Sequence, residues 1–122
     1  MIGIGVDLVE VDRMRESLAR TPSLEERLFT AGERAYAHEA KDPAERFAVR
    51  FAAKEAAMKA LGVGIGAVDF HDIEVVRAVS GAPSLVLTGR AAALAADAGV
   101  RQWRLSLTHT HRTAEAVAVA LA

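Results

Sequence analysis

The chain has 122 residues, of which 52% are hydrophobic and 5% aromatic, and its formal net charge is −1. This length suits one domain spanning residues 1–122, and the near-neutral charge argues against bulk attraction to nucleic acid or to an anionic membrane. Cysteine is absent, which excludes a disulfide framework, a thiolate nucleophile and a cysteine-ligated zinc. The N-terminal residues show no signal-peptide pattern and no apolar run reaches about 18 residues, so we expect a cytoplasmic protein.

The first third of the chain predicts one strand and two helices. Apolar residues alternate with small or polar ones over residues 2–7, which is the period of a strand, and this strand would end in the carboxylate of Asp7. Another element is expected from Leu8 onward, with a charged helix over residues 11–19. Thr30 opens a Thr-x-x-Glu capping box, which is typical of the first turn of a short helix.

The clearest start signal is Asp42-Pro43, an N-cap aspartate followed by proline at the first helical position. The helix that begins here should continue to about Leu61, where Gly62 supplies a C-terminal stop. Residues 63–66, with the sequence Val-Gly-Ile-Gly, are then expected to form a glycine-rich loop.

The second half of the chain predicts four strands and one further helix. The strands are expected over residues 70–79, 84–88, 103–110 and 114–121, and an alanine-rich helix over residues 90–98. The first two strands are joined by a turn and the last two form a hairpin. Strands that are separated by helices and then paired in hairpins indicate an α+β fold, with a largely antiparallel sheet and a long packed helix.

The long helix carries charged residues on the side that should be buried. At about 100° per residue, Lys54 falls in the same apolar sector as Phe47 and Met58. Glu55 and Lys59 share an i, i+4 row with two phenylalanines, which places Glu55 beside the core. These two residues either form an ordinary surface salt pair, worth about 0.3–0.5 kcal/mol, or belong to a site.

A second row of this helix contains Arg46, Arg50 and Lys54 at i, i+4 spacing, where like charges repel. A helix that accepts this repulsion beside a glycine-rich loop favours an anionic ligand. The alternative is a solvated face whose long side chains extend away from a packed surface. Periodicity alone does not decide between the two.

Asp7 also has two interpretations. A carboxylate after a glycine-spaced strand is either a turn or helix-cap residue or, together with Glu55, part of a site for a hard cation. Magnesium takes one or two carboxylates and completes its coordination with waters and phosphate oxygens. Two carboxylates beside a basic stripe suit a phosphorylated ligand better than acid–base chemistry on a neutral one.

The segment Ser106–His111 is the third polar cluster. On a strand, His109 and His111 project to one face. A zinc site would need a third protein ligand, and none is evident. A strand histidine is usually structural, yet the hydroxyl groups of Thr108 and Thr110 suit contacts with phosphate.

Three segments together resemble the small holo-acyl-carrier-protein synthases, the short branch of the phosphopantetheinyl transferases. They are Gly3–Val11 (GIGVDLVEV), Arg50–Gly62 (RFAAKEAAMKALG) and Ser106–Thr110 (SLTHT). The middle segment is the most specific of the three. Their order and approximate spacing extend over nearly the whole chain.

The resemblance implies a homotrimer whose active sites lie between neighbouring subunits. It implies that Asp7 and Glu55 hold magnesium together with the pyrophosphate of coenzyme A. Lys54 and Lys59 match positions near the phosphates, and Gly62–Gly66 matches coenzyme-binding backbone. The other positions implied to contact coenzyme A are Arg50, Gly62, Gly64, Pro83, Thr108, His109 and Thr110.

The implied reaction transfers phosphopantetheine from coenzyme A to a serine of an apo-acyl carrier protein, in fatty-acid or polyketide synthesis. Asp7, Glu55 and Lys59 are then the expected catalytic residues. Arg13 and Arg20 match basic positions that dock the acidic helix of the carrier protein.

One departure from the family pattern is Ala82, which stands where the family often has a lysine between glycine and proline. This removes one cation from the expected phosphate or carrier contacts. Two other classes of protein stay open at this point. One is a metal-dependent hydrolase of coenzyme A or nucleotides, with water as the nucleophile. The other is a non-catalytic oligomeric binding module whose charged rows form a subunit interface.

Overall fold

The computed structural model describes residues 1–122 and contains five strands, five α-helices and one 3-10 turn. The strands are β1 (Gly3–Glu10), β2 (Ile73–Arg77), β3 (Pro83–Leu87), β4 (Gln102–His109) and β5 (Thr113–Leu121). The helices are α1 (Val11–Arg20), α2 (Leu24–Leu28), α3 (Ala31–His38), α4 (Pro43–Ala60) and α5 (Gly89–Asp97). The 3-10 turn, Phe70–Asp72, directly precedes β2.

All strand pairs are antiparallel. β1, β5 and β4 form a three-stranded sheet in that order, and β2 and β3 form a separate two-stranded sheet. The long helix α4 packs on the three-stranded sheet through β1 and β5. This confirms the predicted α+β fold with antiparallel strands and a long packed helix. None of the helices combines the length and the apolar character needed to cross a membrane.

The two predicted helix starts are confirmed, but only one uses its expected cap. The Thr30 side chain accepts a hydrogen bond from the Glu33 N–H, and the Glu33 carboxylate accepts one from the Thr30 N–H at 2.9 Å. Helix α4 begins at Pro43, yet the Asp42 carboxylate makes no capping bond. It accepts instead from the Arg15 guanidinium at 2.5 Å, and this ion pair ties α1 to the start of α4.

Two predicted strands have the wrong bounds, and one helix was not predicted. β1 does not end at Asp7 but continues to Glu10, because β5 supplies a partner for every residue as far as Thr113. The strand expected over residues 70–79 is shorter, since its first residues form the 3-10 turn. Helix α2 is absent from the prediction, because five residues are too few to display a helical period.

The core between the sheet and α4 is built from small side chains. Alternate residues of β5 face the helix and are at most 1% exposed, namely Ala114, Ala116, Ala118 and Ala120. Seven alanines of α4 are likewise buried at 0–7% exposure, namely Ala44, Ala48, Ala52, Ala53, Ala56, Ala57 and Ala60. The low aromatic content of the chain therefore fits its packing, because small side chains allow the helix and the sheet to lie close together.

The closest approach is between β1 and α4. A Cβ atom built on Gly5 would lie 1.9 Å from the carbonyl oxygen of Ala56, and one built on Gly3 would lie 1.9 Å from that of Ala60. No side chain larger than hydrogen fits at either position. The alternating glycines of β1 thus set the distance between the strand and the helix.

Gly5→Ala should lower the free energy of unfolding by about 3 kcal/mol, because the new methyl group must push β1 away from α4. Urea unfolding followed by circular dichroism measures this change. Gly64→Ala is the matched control, since no atom lies within 4 Å of a Cβ at Gly64, and it should change stability by less than about 0.5 kcal/mol. Equal stability of the two variants would contradict the close approach.

Candidate active site

β1 brings Asp7 to the last turns of α4. Side chains alternate along a strand, so Asp7 faces the helix as Gly3 and Gly5 do. The ammonium of Lys59 lies 3.1 Å from Asp7 Oδ1 and donates a hydrogen bond to the carbonyl of Val6 at 2.9 Å. The interpretation of Asp7 as a helix cap is therefore wrong, because Asp7 lies within the strand and its carboxylate meets a lysine of another element.

Glu55 lies one helical turn before Lys59 and on the same side of α4. Lys59 forms its ion pair with Asp7 rather than with Glu55, so the simple i, i+4 salt pair is not what the structure has. Burial raises the pKa of Glu55, and the negative charge of Asp7 raises it further, while Lys59 opposes both effects. Two carboxylates that repel each other beside one ammonium form a cluster that favours an additional cation.

A cleft of about 380 Å³ opens beside the two carboxylates. Helix α1 contributes the guanidinium of Arg13 to its lining, so a cation borders the same cleft as Asp7 and Glu55. The apolar part of the lining comes from Leu8, Val9, Met14, Leu24, Leu28 and Phe51. Two of these residues belong to α2, the helix that the sequence did not predict.

A second cavity, of about 220 Å³, borders the same cluster from the side of the glycine-rich loop. Its lining includes Glu55, Lys59, Val63, Gly64 and Ile65. The loop therefore leaves α4 directly beside the carboxylate and the ammonium. Glu55 thus borders both the cleft and this cavity, and Lys59 borders the cavity on the loop side.

Three arginines gather around one tyrosine in another part of the chain. The guanidinium carbons of Arg46, Arg50 and Arg77 lie 3.9, 4.3 and 4.8 Å from the centre of the Tyr36 ring. Such stacking on an aromatic face stabilises a cation. The Tyr36 carbonyl accepts from Arg46 at 2.6 Å, and its hydroxyl accepts from Arg77. The Tyr36 cluster, as we call these four residues, holds three positive charges together.

The Tyr36 cluster lines a cavity of about 280 Å³ together with Pro83 and His109. Arg50 is only 5% exposed, and its Nε has no hydrogen-bond partner. Burial lowers the pKa of Arg50, and the charges of Arg46 and Arg77 lower it further, against the opposing effects of Tyr36 and Glu33. Arg46 has a carboxylate partner in Glu39, at 4.0 Å, but three guanidinium groups still meet at this site, and such a concentration of positive charge favours an anion.

The chain matches one protein family over nearly all of its length. The model of the 4′-phosphopantetheinyl transferase superfamily covers residues 3–122. The chain belongs to that superfamily. A holo-[acyl-carrier-protein] synthase of Frankia casuarinae is 50% identical over 120 residues, which cover 98% of this chain and 97% of the relative.

Solved structures agree with this assignment to the phosphopantetheinyl transferases. The crystal structure of a holo-[acyl-carrier-protein] synthase from Neisseria meningitidis superposes with a TM-score of 0.91 at 31% identity, covering 100% of this chain and 99% of that one. A holo-[acyl-carrier-protein] synthase from Helicobacter pylori, in complex with coenzyme A, superposes with a TM-score of 0.85 at 30% identity. The alignment covers 97% of this chain and 99% of that one.

Lys54, a predicted phosphate contact of this phosphopantetheinyl transferase, lies in the interior. Its side chain is 0% exposed, as the apolar sector of α4 predicted, and its ammonium lies 2.8 Å from the carboxylate of Glu33. It also donates to the carbonyls of Phe70 and Ile73. The three donors of Lys54 are thus taken up by oxygens of the protein, and its contact with a phosphate stays a prediction.

Four further residues that were predicted to contact coenzyme A or the carrier protein lie in separate parts of the chain. Thr110 is occupied within its turn, where its hydroxyl accepts from the N–H groups of Arg112 and Thr113, each at 3.1 Å. Thr108 projects to the sheet face opposite α4, and Arg20, the last residue of α1, is exposed. Gly62 has the left-handed φ of 75° that ends α4, as predicted from the sequence.

Tyr36 and Arg77 were not found from the sequence. They lie on α3 and β2, outside the helix that carries the arginine row. The repelling pair Arg46 and Arg50 was the available signal, since like charges on a buried row call for a nearby compensating partner. Which residue fills that place depends on how β2 packs beside α3.

Glu55→Gln should make the chain more stable at neutral pH when divalent cations are removed. The folded state raises the pKa of Glu55 above its ordinary value of 4.5, so over the interval between the two values it holds a proton that the unfolded chain releases. The free energy of unfolding of the wild type therefore falls as pH rises through this interval and stays lower above it. Glutamine avoids this loss.

Urea unfolding in EDTA, at about pH 4 and about pH 7, tests this prediction. Glu16→Gln, on the exposed side of α1, controls for the loss of one negative charge. If Glu55→Gln gained no stability over Glu16→Gln at the higher pH, the two carboxylates would not be in conflict.

Proposed function

We propose that this chain is a holo-[acyl-carrier-protein] synthase, which transfers the 4′-phosphopantetheine group of coenzyme A to a serine of an apo-acyl carrier protein. The observation that carries the proposal is the cluster of Asp7, Glu55 and Lys59 between a cleft and the glycine-rich loop. The names of the relatives and the coenzyme A complex of a structural neighbour support it. The carrier protein would serve fatty-acid or polyketide synthesis, and a cytoplasmic location stays a prediction.

The donor set of this cluster fits magnesium. The chain contains no group of three or more His, Cys, Asp or Glu side chains that could hold a metal ion, so Asp7 and Glu55 stand as a pair. A pair of carboxylates is what magnesium takes when water and phosphate oxygens complete its coordination. When bound, the metal supplies positive charge to the pyrophosphate.

Each side chain of the cluster then has a role in phosphoryl transfer. The serine oxygen forms a bond to the β-phosphorus of coenzyme A, and the bond to adenosine 3′,5′-bisphosphate breaks. Glu55 takes the serine proton, directly or through one water. Lys59, whose side chain is 53% exposed, can turn from Asp7 to a phosphate oxygen.

The Tyr36 cluster supports a second contact region for coenzyme A, at Arg50, Pro83 and His109. Phosphate groups of the nucleotide end would compensate its positive charge. Arg77, which also donates to the carbonyl of Gly81 at 3.2 Å, lies next to the turn in which Ala82 replaces the usual lysine. Its guanidinium would supply the cation that this turn lacks.

A homotrimer would bring the two regions together, and one apolar surface supports it. On the sheet face opposite α4, Ile4, Val6 and Leu8 are 57%, 51% and 63% exposed. Val117 and Val119 of β5 lie on the same face, opposite Val6 and Ile4. Contiguous aliphatic side chains of this size are typical of a protein interface. The carboxylate cluster of one subunit and the Tyr36 cluster of its neighbour would then share one ligand.

Transfer should be visible as a mass gain of one phosphopantetheine on an apo-acyl carrier protein incubated with this chain, coenzyme A and magnesium. Asp7→Asn should lower the rate by about 100-fold or more, because it removes a charged ligand where negative charge must be neutralised. Intact-mass spectrometry measures both, and EDTA should abolish the gain. Coenzyme A that is cleaved without a mass gain would indicate a hydrolase, and a rapid Asp7→Asn variant would remove the metal assignment.

Arg13→Glu should raise the KM for the carrier protein by about tenfold and leave the KM for coenzyme A unchanged. The reason is that Arg13 borders the cleft, where a negative side chain would repel an acidic partner helix. Arg101→Glu is the control, because Arg101 is exposed and precedes the opposite end of the sheet. Equal losses for both substrates would mean that Arg13 acts structurally.

A further inference from the structure

Two fully buried charged groups lie outside the proposed chemistry. Lys54 and Glu33 have side chains that are both 0% exposed, and Lys54 Nζ lies 2.8 Å from Glu33 Oε1. The same ammonium donates to the carbonyl of Phe70 at 2.8 Å and to that of Ile73 at 2.6 Å. An ammonium has three donors, and here each has an oxygen.

The carboxylate of Glu33 is equally occupied. Besides Lys54, it accepts from the N–H of Thr30 at 2.9 Å and from the N–H of Val75 at 2.8 Å. The ion pair therefore joins the start of α3, the middle of α4 and the segment Phe70–Val75. Burial lowers the pKa of Lys54, and the carboxylate of Glu33 opposes this effect.

A buried ion pair is a costly way to obtain stability, since desolvation can exceed the attraction between the charges. Such a pair adds geometric specificity, because every partner must lie at a hydrogen-bonding angle and distance. The partners here are backbone groups of one segment, the turn and strand that follow the glycine-rich loop. The pair consequently determines where that segment lies relative to α4.

This placement has consequences for the proposed site. The loop leaves α4 at one end, where the N–H of Val63 donates to the carbonyl of Met58 at 3.0 Å. Its other end reaches Phe70, whose carbonyl accepts a hydrogen bond from Lys54. The ring of Phe70 stacks on Phe51 with centres 5.5 Å apart, and Phe51 lines the carboxylate cleft. Lys54 also directly precedes Glu55 in α4.

We propose that Lys54 and Glu33 form a positioning pair, which holds the glycine-rich loop and the Phe51–Phe70 stack in the arrangement that binds the donor substrate. Neither residue contacts substrate; they act through the backbone of Phe70 and Ile73. The inference rests on the proposed function, in which this loop borders the coenzyme A site.

Lys54→Met keeps the length of the side chain but removes its three donors. It should raise the KM for coenzyme A by about tenfold, because a displaced loop loses contacts with the donor, while the KM for the carrier protein changes little. Hydrogen exchange should become faster in residues 62–70. Val100→Ala is the matched control, since Val100 packs in a separate cluster with Ala60, Ala95 and Ala120.

Both variants are compared at temperatures where circular dichroism shows the same folded fraction. Glu33→Gln provides a milder second variant should Lys54→Met fail to fold, because glutamine keeps the shape and one acceptor oxygen. The double variant should raise the KM for coenzyme A no further than Lys54→Met alone, because both substitutions disrupt one unit.

The proposal is overturned if Lys54→Met matches Val100→Ala both in the KM for coenzyme A and in the rate of hydrogen exchange of residues 62–70. The pair would then have a purely structural role. Lys54→Arg, which keeps the cation, should restore part of the coenzyme A affinity, and the proposal also fails if Lys54→Arg is no better than Lys54→Met. Coenzyme A binding, measured by calorimetry, and hydrogen exchange do not require transfer. They would therefore test the positioning pair even if the chain transferred nothing to a carrier protein.

Discussion

The candidate site depends on the close contact between strand β1, at its glycines, and the backbone of helix α4. At Gly3 and Gly5 the space for a Cβ is already taken by carbonyl oxygens of α4. Asp7 is the next residue on that side of β1, and only this short distance allows its carboxylate to reach Lys59 and to influence Glu55. Alanines on β5 and α4 maintain the same spacing across the sheet.

The chain keeps like charges together in two places. Asp7 and Glu55 repel each other beside one cleft, and three arginines repel one another around Tyr36. Each arrangement opposes folding of the free chain by a small amount, and each is relieved by a ligand of opposite charge. In the function that we propose, magnesium would lie at the first place and a phosphate of coenzyme A at the second.

Local signals predicted the elements whose causes are local. The Thr30 capping box, proline at the start of α4 and the alternation along β1 all reflect interactions within a few residues, and these three elements begin where they were expected. The errors have tertiary causes. β1 continues to Glu10 because β5 pairs with it. Phe70 lies in a turn rather than in the strand, and its carbonyl accepts a hydrogen bond from Lys54.

By itself, the sequence determined the residue types of the site, their order, and the helix face on which Glu55 and Lys59 lie, since helical spacing places them together. It placed Lys54 in the apolar sector of the helix but could not name the groups that surround its ammonium. The two lysines are five positions apart on α4, and both belong to the same motif. Only the packing of α3 and β2 around the helix decided that Lys54 is enclosed by Glu33 and backbone carbonyls. Lys59 lies beyond that contact and beside β1, where its side chain is 53% exposed to solvent.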